Sequence, residues 1–227
     1  MRYLKHIKII LSISLIAVCI GCNDMDKIHE QYLGGEIIYS GKLDTLLVRP
    51  GMYRAQLEGY THLLGNSNKV IIEFDNRTEV FDIDNNVSEI YSVIIENLEE
   101  DFYEFDVTTQ DQEGNVSVPQ TVSGYAVGDI FVEDQSPREI NDFSFESDGN
   151  YVNFFGNAES AFVIFTTLDY DNENNEVVRD TLFFEDDKVK LIDFLPLGNL
   201  TTQSYVQSGL RGIDTIALEP VSYSLPN

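Results

Sequence analysis

Alternation of apolar and polar residues over many short segments is the feature that most constrains the fold of this chain. Tyr103, Phe105 and Val107 alternate with acidic and hydroxyl residues, and the same period of two recurs in segments 53–58, 70–75 and 91–95. A period of two places one set of side chains on a core face and the other set in solvent. The pattern therefore predicts half-buried β-strands.

Turn-forming clusters separate these segments, at 65–68, 84–86 and 111–115. Further strands are predicted at 151–155, 161–168, 177–184, 189–194, 205–210 and 213–218. Short strands at this spacing are typical of β-sandwiches, and no amphipathic helix is predicted after residue 22. Segment 129–140 breaks the alternation and contains Pro137. We therefore predict two domains, a first sandwich at 41–128 and a second at 129–227.

The N-terminus has the pattern of an export signal. Residues 1–8 carry three bases and no acid, and the apolar run at 9–20 is too short to span a bilayer. The following Gly21-Cys22 resembles the lipobox of bacterial lipoproteins, in which the cysteine is acylated and becomes the mature N-terminus. We therefore predict a signal peptide at 1–21, lipidation of Cys22 and a polar tether at 22–40. The alternative is ordinary secretion with Cys22 incidental.

Cysteine and charge content exclude several classes of function. Cys19 and Cys22 are the only cysteines, so loss of the leader and acylation of Cys22 leave no thiol for a disulfide, a zinc site or a nucleophile. The leader holds three of the 14 bases and none of the 39 acids, so the remainder has 11 bases against 39 acids and a net charge of −28. Such a chain repels polyphosphates, and we predict no nucleic-acid partner.

The segment from Leu98 to Val107 carries more information than its neighbours. A leucine, an acidic turn and then Tyr103-x-Phe105-x-Val107 resembles the tyrosine corner of fibronectin type III domains, where the tyrosine hydroxyl bonds to a nearby backbone group. The resemblance implies an all-β fold of two tandem immunoglobulin/fibronectin type III-like β-sandwiches, with Tyr103 as a structural corner. The tryptophan of strand B is missing, and Tyr60 is the candidate to replace it.

The chain also resembles, along most of residues 31–218, an uncharacterised family of Bacteroidota outer-membrane lipoproteins catalogued as a domain of unknown function. The resemblance rests on segments 31–44 and 98–117, and on Tyr205-x-x-Ser208 followed by Ile213-Asp214-Thr215. Members are often encoded beside outer-membrane glycan-import systems. The resemblance thus implies a lipid-anchored, surface-exposed protein of the cell outer membrane, with polysaccharide or outer-membrane transport proteins as partners.

No catalytic site is predicted. The histidines outside the leader are His29, in the tether, and His62, in a loop, and neither context suits the buried base of a catalytic triad. Carboxylates are abundant enough that chance pairs are expected, so they do not identify a glycoside hydrolase. We therefore predict a protein that is not an enzyme and needs no resident cofactor.

One acidic cluster has the spacing of a calcium loop. Asp169, Asp171, Glu173 and Asp180 occupy positions one, three, five and twelve of an EF-hand-like segment, and Ca²⁺ prefers such oxygen ligands. Asn174 stands where glycine is expected at position six, and strands rather than helices flank the loop. The alternatives are a Ca²⁺ site at these four residues and a solvated hairpin tip.

Sugar binding and glycosylation are two further hypotheses. Twelve tyrosines and fourteen phenylalanines offer faces for sugar rings, although most lie at alternating core positions; loop tyrosines such as Tyr151 or Tyr170 are the candidates. Thr45, Thr181 and Thr215 each follow an aspartate and precede an apolar residue. This tripeptide resembles the O-glycosylation signal of Bacteroidota envelope proteins, and it also arises by chance.

Two functions from different classes fit these observations. The first is a non-catalytic envelope lipoprotein that binds or presents glycan, or that scaffolds a glycan-uptake complex. The second is a structural spacer or adhesin that holds partners away from the membrane. A concave surface with exposed aromatic side chains would favour the first, and a rigid junction between the sandwiches would favour the second.

Overall fold

In the computed structural model, which describes residues 38–84, 89–156 and 162–227, the chain forms fifteen β-strands and one short helix. The predicted signal peptide, Cys22 and most of the tether lie outside these ranges. Residues 40–227 form one compact unit. No helix of the described ranges is long and apolar enough to cross a membrane.

The first seven strands form two antiparallel sheets. They are β1 (Asp44–Gly51), β2 (Arg54–Tyr60), β3 (Ser67–Phe74), β4 (Arg77–Asp82), β5 (Ile90–Glu96), β6 (Phe102–Asp111) and β7 (Gln120–Tyr125). One sheet has the order β1-β2-β5 and the other has the order β4-β3-β6-β7. A single apolar cluster of buried residues belongs to this pair of sheets, with Leu57, Ile72 and Phe105 fully buried at its centre.

A helical turn, α1 (Asp129–Glu133), precedes the second pair of sheets. Its strands are β8 (Ile140–Glu146), β9 (Gly149–Phe154), β10 (Val163–Asp171), β11 (Val177–Phe183), β12 (Lys188–Leu191), β13 (Asn199–Gln207), β14 (Thr215–Ala217) and β15 (Val221–Ser224). One sheet has the order β12-β9-β8. The other runs β11-β10-β13, and both β14 and β15 pair with the free side of β13.

The strand order confirms the predicted fold class. In both halves a sheet of three strands faces a sheet whose order is the C′-C-F-G order of fibronectin type III sandwiches, and the three-stranded sheet has the order A-B-E. Burial follows the alternation that predicted it, because β6 and β13 bury every second residue. The second half has its own apolar cluster, in which Val152, Leu168 and Leu200 are fully buried.

Tyr60 does not replace the missing tryptophan of strand B. It ends β2 and is 38% exposed, whereas the core positions of that strand are held by Ala55 and Leu57, which are fully buried. The prediction for Tyr60 was therefore wrong. Aromatic volume comes instead from the facing sheet, where the rings of Phe74, Tyr103 and Phe105 lie within 5.2–6.1 Å of one another.

Tyr103 has the geometry expected of a corner residue. Its ring is 5% exposed, and its hydroxyl donates a hydrogen bond of 3.0 Å to the carbonyl oxygen of Glu99, four residues upstream. Burial raises the pKa of this hydroxyl. The bond ties the loop before β6 to the first residues of that strand, so the ring is fixed in the core while its polar tip is satisfied.

Replacing Tyr103 with phenylalanine should lower the free energy of unfolding by about 1–3 kcal/mol, because it deletes one hydrogen bond and leaves a carbonyl unpaired. Urea denaturation at pH 7 measures the change. Tyr91→Phe is the control for the loss of a buried tyrosine hydroxyl elsewhere in the same core, because Tyr91 is also buried, on β5 of the facing sheet. Equal midpoints for Tyr103→Phe and wild type would contradict the corner role.

Candidate functional site

The two sandwiches meet where the turn between β1 and β2 receives the loop between β13 and β14. The carbonyl oxygen of Pro50 accepts hydrogen bonds from the backbone N–H of Ile213, at 2.8 Å, and from the hydroxyl of Ser208, at 2.9 Å. A Cβ atom on Gly51 would lie 2.8 Å from the side chains of Ile213 and Asp214. A larger residue at this position would therefore have to displace these side chains, because the loop approaches closely.

Asp214 connects this loop to the first sandwich. Its carboxylate accepts hydrogen bonds from the backbone N–H of Met52, at 2.7 Å, and from both Nε and Nη2 of Arg54, with Nε at 3.1 Å. The Asp214 side chain is 17% exposed and that of Arg54 is 34% exposed. The Arg54 hydrogen bond lowers the pKa of Asp214, and the same bond raises the pKa of Arg54. The pair is thus a partly buried, bidentate ion pair between the sandwiches.

Glu100 makes a second connection at the start of α1. Gly128 provides no side-chain cap for this turn, and the Glu100 carboxylate accepts hydrogen bonds from the N–H groups of Ile130, at 2.8 Å, and Phe131, at 2.7 Å. The Tyr53 hydroxyl accepts a further hydrogen bond from the N–H of Asp129, at 3.1 Å. The first turn of a helix leaves N–H groups without partners, so the first sandwich supplies the acceptors that the linker lacks.

A different kind of surface covers the outer face of the sheet β11-β10-β13, which we call the aromatic face. Strand register aligns three adjacent rows of its side chains across the strands, and Asp171 and Val177 continue the face beyond the third row. The first row is Phe183, Phe165, Tyr205 and Ala217, the second is Thr181, Thr167 and Gln203, and the third is Arg179, Asp169, Thr201 and Ser222. The alternate residues of β10 and β13 point into the core, including Leu168, Leu200 and Val206.

Contacts within the aromatic face hold its side chains in place. The rings of Phe165 and Tyr205 stack with centroids 4.5 Å apart and an interplanar angle of 19°. The Tyr205 hydroxyl donates to Oε1 of Gln203 at 3.1 Å, and Nε2 of Gln203 donates to the carbonyl oxygen of Leu218 at 3.1 Å. Phe183, at the end of the row, is 53% exposed.

The four carboxylates of the predicted calcium loop do not converge. Asp169 accepts two hydrogen bonds of 2.6 Å from Arg179, and the Arg179 hydrogen bond lowers its pKa. Asp180 is paired with Leu168, so its side chain points to the opposite face of the sheet from Asp169. Along the described ranges, no group of three or more His, Cys, Asp or Glu side chains could hold a metal ion, and Asp171 and Glu173 belong to none.

The predicted glycosylation residues lie in three different settings. Thr45 is exposed at an irregular position of β1, and its N–H donates to Asp44. Thr181 is half-buried on the aromatic face and its N–H donates to Asp180. Thr215 is exposed on β14, next to the aspartate that holds Arg54. Modification of these threonines and lipidation of Cys22 remain predictions.

The tyrosines singled out for sugar binding are not the exposed ones. Tyr170 lies within β10, is 2% exposed, and accepts a hydrogen bond from the N–H of Ile192, so it is a core residue. The ring of Tyr151 is covered by the Lys188 ammonium, 4.3 Å from its centroid. Sequence reasoning missed Phe165 and Tyr205, because alternation alone does not tell which strands become neighbours.

His62 lies in a loop, as predicted, and its Nε2 is 3.0 Å from a carboxylate oxygen of Asp44.

Comparison with known proteins gives a family but no activity. A family model described as a domain of unknown function, DUF4998, matches residues 22–216. No curated protein matches the chain. Among solved structures, the FN1-FN3 domains of chicken CNTN1 match with 13% identity over 85% of this chain and 70% of that one, at a TM-score of 0.43. The segment of two fibronectin type III domains from chicken tenascin matches with 16% identity over 82% of this chain and 99% of that one, at a TM-score of 0.32.

Proposed function

The chain belongs to the DUF4998 family, a domain of unknown function, and we propose that it is a structural envelope lipoprotein, a spacer or adhesin whose two sandwiches act as one rigid body. The observation that carries this proposal is the junction between the sandwiches. Domains joined by a plain linker move relative to each other by default, because few contacts restrain them. Here two separate sets of hydrogen bonds restrain the same pair of sandwiches.

These two sets connect one turn of the first sandwich to two different segments. Pro50, Met52 and Arg54 hold the loop at Ser208–Asp214, and Tyr53, together with Glu100, holds the start of α1. Residues of α1 in turn pack against the buried apolar cluster of Val163, Val206 and Leu218 in the second sandwich. Two segments held in this way restrain the junction more than either would alone. A rigid junction is the feature that favours a spacer.

The proposal is non-catalytic because structural contacts account for the perturbed carboxylates. Shifted pKa values can mark catalytic groups, but structural ion pairs shift pKa values as well. Asp214 is shifted by Arg54, and Asp169 by Arg179. Asp111 is shifted by its hydrogen bonds to Asn115 in the turn after β6. Each group serves an ion pair or a turn.

We place the protein at the cell outer membrane, held by a lipid on Cys22 and exposed at the surface. This part of the proposal rests on the N-terminal sequence pattern. Binding or presentation of glycan, or scaffolding of a glycan-uptake complex with outer-membrane transport proteins, is the second candidate function. The aromatic face favours it, because exposed and half-buried rings are arranged there in a row on the sheet surface.

Distance measurement between spin labels tests the rigid body directly. The exposed residues Val80, on the first sandwich, and Val177, on the second, are replaced with cysteine in a background in which serine replaces Cys19 and Cys22. We expect one narrow distance distribution for this protein, and a broad one when Glu100→Ala and Asp214→Ala are added. Two labels within the second sandwich and away from the junction, at the exposed residues Val177 and Ile192, are the control. A broad distribution before the junction is changed would contradict the proposal.

A further inference from the structure

The aromatic face carries little charge for a strongly acidic chain. Its three rows contain one acid and one base, Asp169 and Arg179, and these neutralise each other through two hydrogen bonds of 2.6 Å. Asp171, which follows on the same face opposite Val177, adds one negative charge. The whole chain has a net charge of −25. Solvated strand faces in such a chain are expected to carry acids, so this face departs from the rest of the surface.

The corresponding face of the first sandwich provides the internal comparison. It is the outer face of β4-β3-β6, and its side chains are also aligned across the strands. The row that runs through Ile71 contains Val80 and Thr108, and the next row places Glu73 beside Asp106. Glu104, Asp82 and Lys69 lie on the same face, which thus holds four acids and one base. Two sheets of one fold therefore present a more acidic face in one sandwich and an aromatic face with less net charge in the other.

We infer that the aromatic face binds a neutral polysaccharide, whose sugar rings pack against the row Phe183, Phe165 and Tyr205. This inference rests on the second candidate function above and gives it a site and a ligand class. Neighbouring strands lie roughly 4.8 Å apart, so the row measures roughly 10 Å, the length of about two sugar rings. The C–H groups of a pyranose are attracted to the negative faces of aromatic rings.

The stacking of the rings leaves one side of Tyr205 available. Phe165 covers one face of the Tyr205 ring, and the cross-strand neighbour on the other side is Ala217, which is exposed and has only a methyl group. Register pairs no larger side chain with Tyr205 there. The hydrogen bond to Gln203 holds the ring, so little side-chain entropy is lost when a ligand packs against it.

The second and third rows suit the hydroxyl groups of a sugar. Thr167 and Thr181 have hydroxyls that donate and accept, and the Arg179–Asp169 pair presents planar hydrogen-bonding groups beside them. Ordered polar groups next to an apolar platform are what orient a ligand in a binding site. A polyanionic glycan gains no cation here beyond Arg179, which Asp169 neutralises, and it meets the negative field of the whole chain.

Binding is tested with the full-length chain in native gels that contain soluble starch, mixed-linkage β-glucan, galactomannan or arabinoxylan. Polygalacturonate and chondroitin sulfate are the anionic controls. We expect at least one neutral polymer, and neither polyanion, to slow migration. Calorimetry with that polymer should give a Kd that rises about tenfold in Phe183→Ala and in Tyr205→Ala.

Two matched variants separate the site from general effects. Tyr205→Phe keeps the ring but loses the bond to Gln203, so it should lose less affinity than Tyr205→Ala, whereas Phe102→Ala removes a 62% exposed ring of the first sandwich and should change nothing. Phe183→Ala keeps the test valid if Tyr205→Ala does not fold. The inference is overturned if no neutral polymer binds, if only a polyanion binds, or if Phe183→Ala binds as wild type does. It is also overturned if sedimentation finds a dimer that Phe183→Ala dissociates. None of these outcomes changes the spin-label distances, so a failure here is distinct from a failure of the rigid junction.

Discussion

Replacing Asp214 with alanine should lower the free energy of unfolding by about 2–4 kcal/mol. The carboxylate accepts hydrogen bonds from Met52 and from two nitrogen atoms of Arg54, and it is only 17% exposed. Alanine leaves the guanidinium of Arg54 without its main partner and the Met52 N–H without an acceptor. Urea denaturation at pH 7, followed by far-ultraviolet circular dichroism, measures the change. We also expect the single transition to broaden, because the second sandwich loses a contact with the first.

Asp169→Ala is the matched control for this prediction, because Asp169 also forms a bidentate pair with an arginine. Its partner Arg179 is 70% exposed, compared with 34% for Arg54. Water screens an exposed pair and the side chains must be ordered to form it, so its contribution to stability is small. Equal losses in Asp214→Ala and Asp169→Ala would show that the junction pair has no special role.

The effect of Asp214→Ala should also depend on pH. The folded-state pKa of Asp214 lies below its ordinary value because Arg54 binds the charged form. The unfolded chain therefore takes up the proton first as the pH falls, and the stabilisation by Asp214 is complete above about pH 4. It is then lost as the pH falls through the folded-state pKa. We expect the difference in unfolding free energy between wild type and Asp214→Ala to be large at pH 7 and much smaller at pH 3.

Replacing Cys22 with alanine should release nearly all of the protein from the membrane. The prediction follows from the lipobox-like pattern, in which Cys22 carries the acyl chains. Each buried methylene contributes about 0.8 kcal/mol to membrane binding, and a chain with this many acids gains no attraction to an anionic membrane surface. Labelling cells with a palmitate analogue should mark wild type and leave Cys22→Ala unlabelled in the soluble fraction.

Cys19→Ala is the control for the labelling experiment. It removes the only other cysteine but keeps Cys22, so the label and the membrane association should both remain. Label retained in Cys22→Ala would defeat the lipoprotein hypothesis. Label lost equally in both variants would also count against an assignment to Cys22 alone.

Alternation predicts the strands best where the core side chains are apolar. Segment 103–107 lies within β6, and the segments at 151–155 and 177–184 overlap β9 and β11. Strand β13 was predicted to begin at 205 and begins at Asn199, because its inward residues include Thr202 and Ser204. Ser204 is satisfied by a hydrogen bond of 3.0 Å to Thr166, also buried. Paired hydroxyls can line a core, and a hydrophobicity pattern does not reveal them.

Strand β8 was missed for a different reason. Its register shifts between Ile140 and Asp142, so Phe143 and Phe145 fall out of phase with Ile140. An irregularity of this kind interrupts the alternation without ending the strand. No strand was therefore predicted for that segment, although six of its residues pair with β9.

The candidate sites were the least predictable part of the chain. The junction joins Arg54 to Asp214, which are 160 residues apart, and no local pattern marks either residue. The aromatic face requires knowledge that β10 lies between β11 and β13, which only the assembled sheet provides. Local spacing was misleading in the case of Asp169 and Asp180. Their spacing in the sequence suggested that both bind one metal ion, but their side chains point to opposite faces of the sheet.

The long reach of the junction sets an order of events during synthesis. Pro50 is synthesised early, but its hydrogen-bond donors, Ser208 and Ile213, are separated from it by more than 150 residues. Contacts of such sequence separation form last, because they require closure of nearly the whole chain. We therefore expect the first sandwich to fold first, while the turn at Gly51–Arg54 is not yet covered by the loop of the second sandwich. Chaperones would meet that turn as a transient surface that is covered when the last strands form.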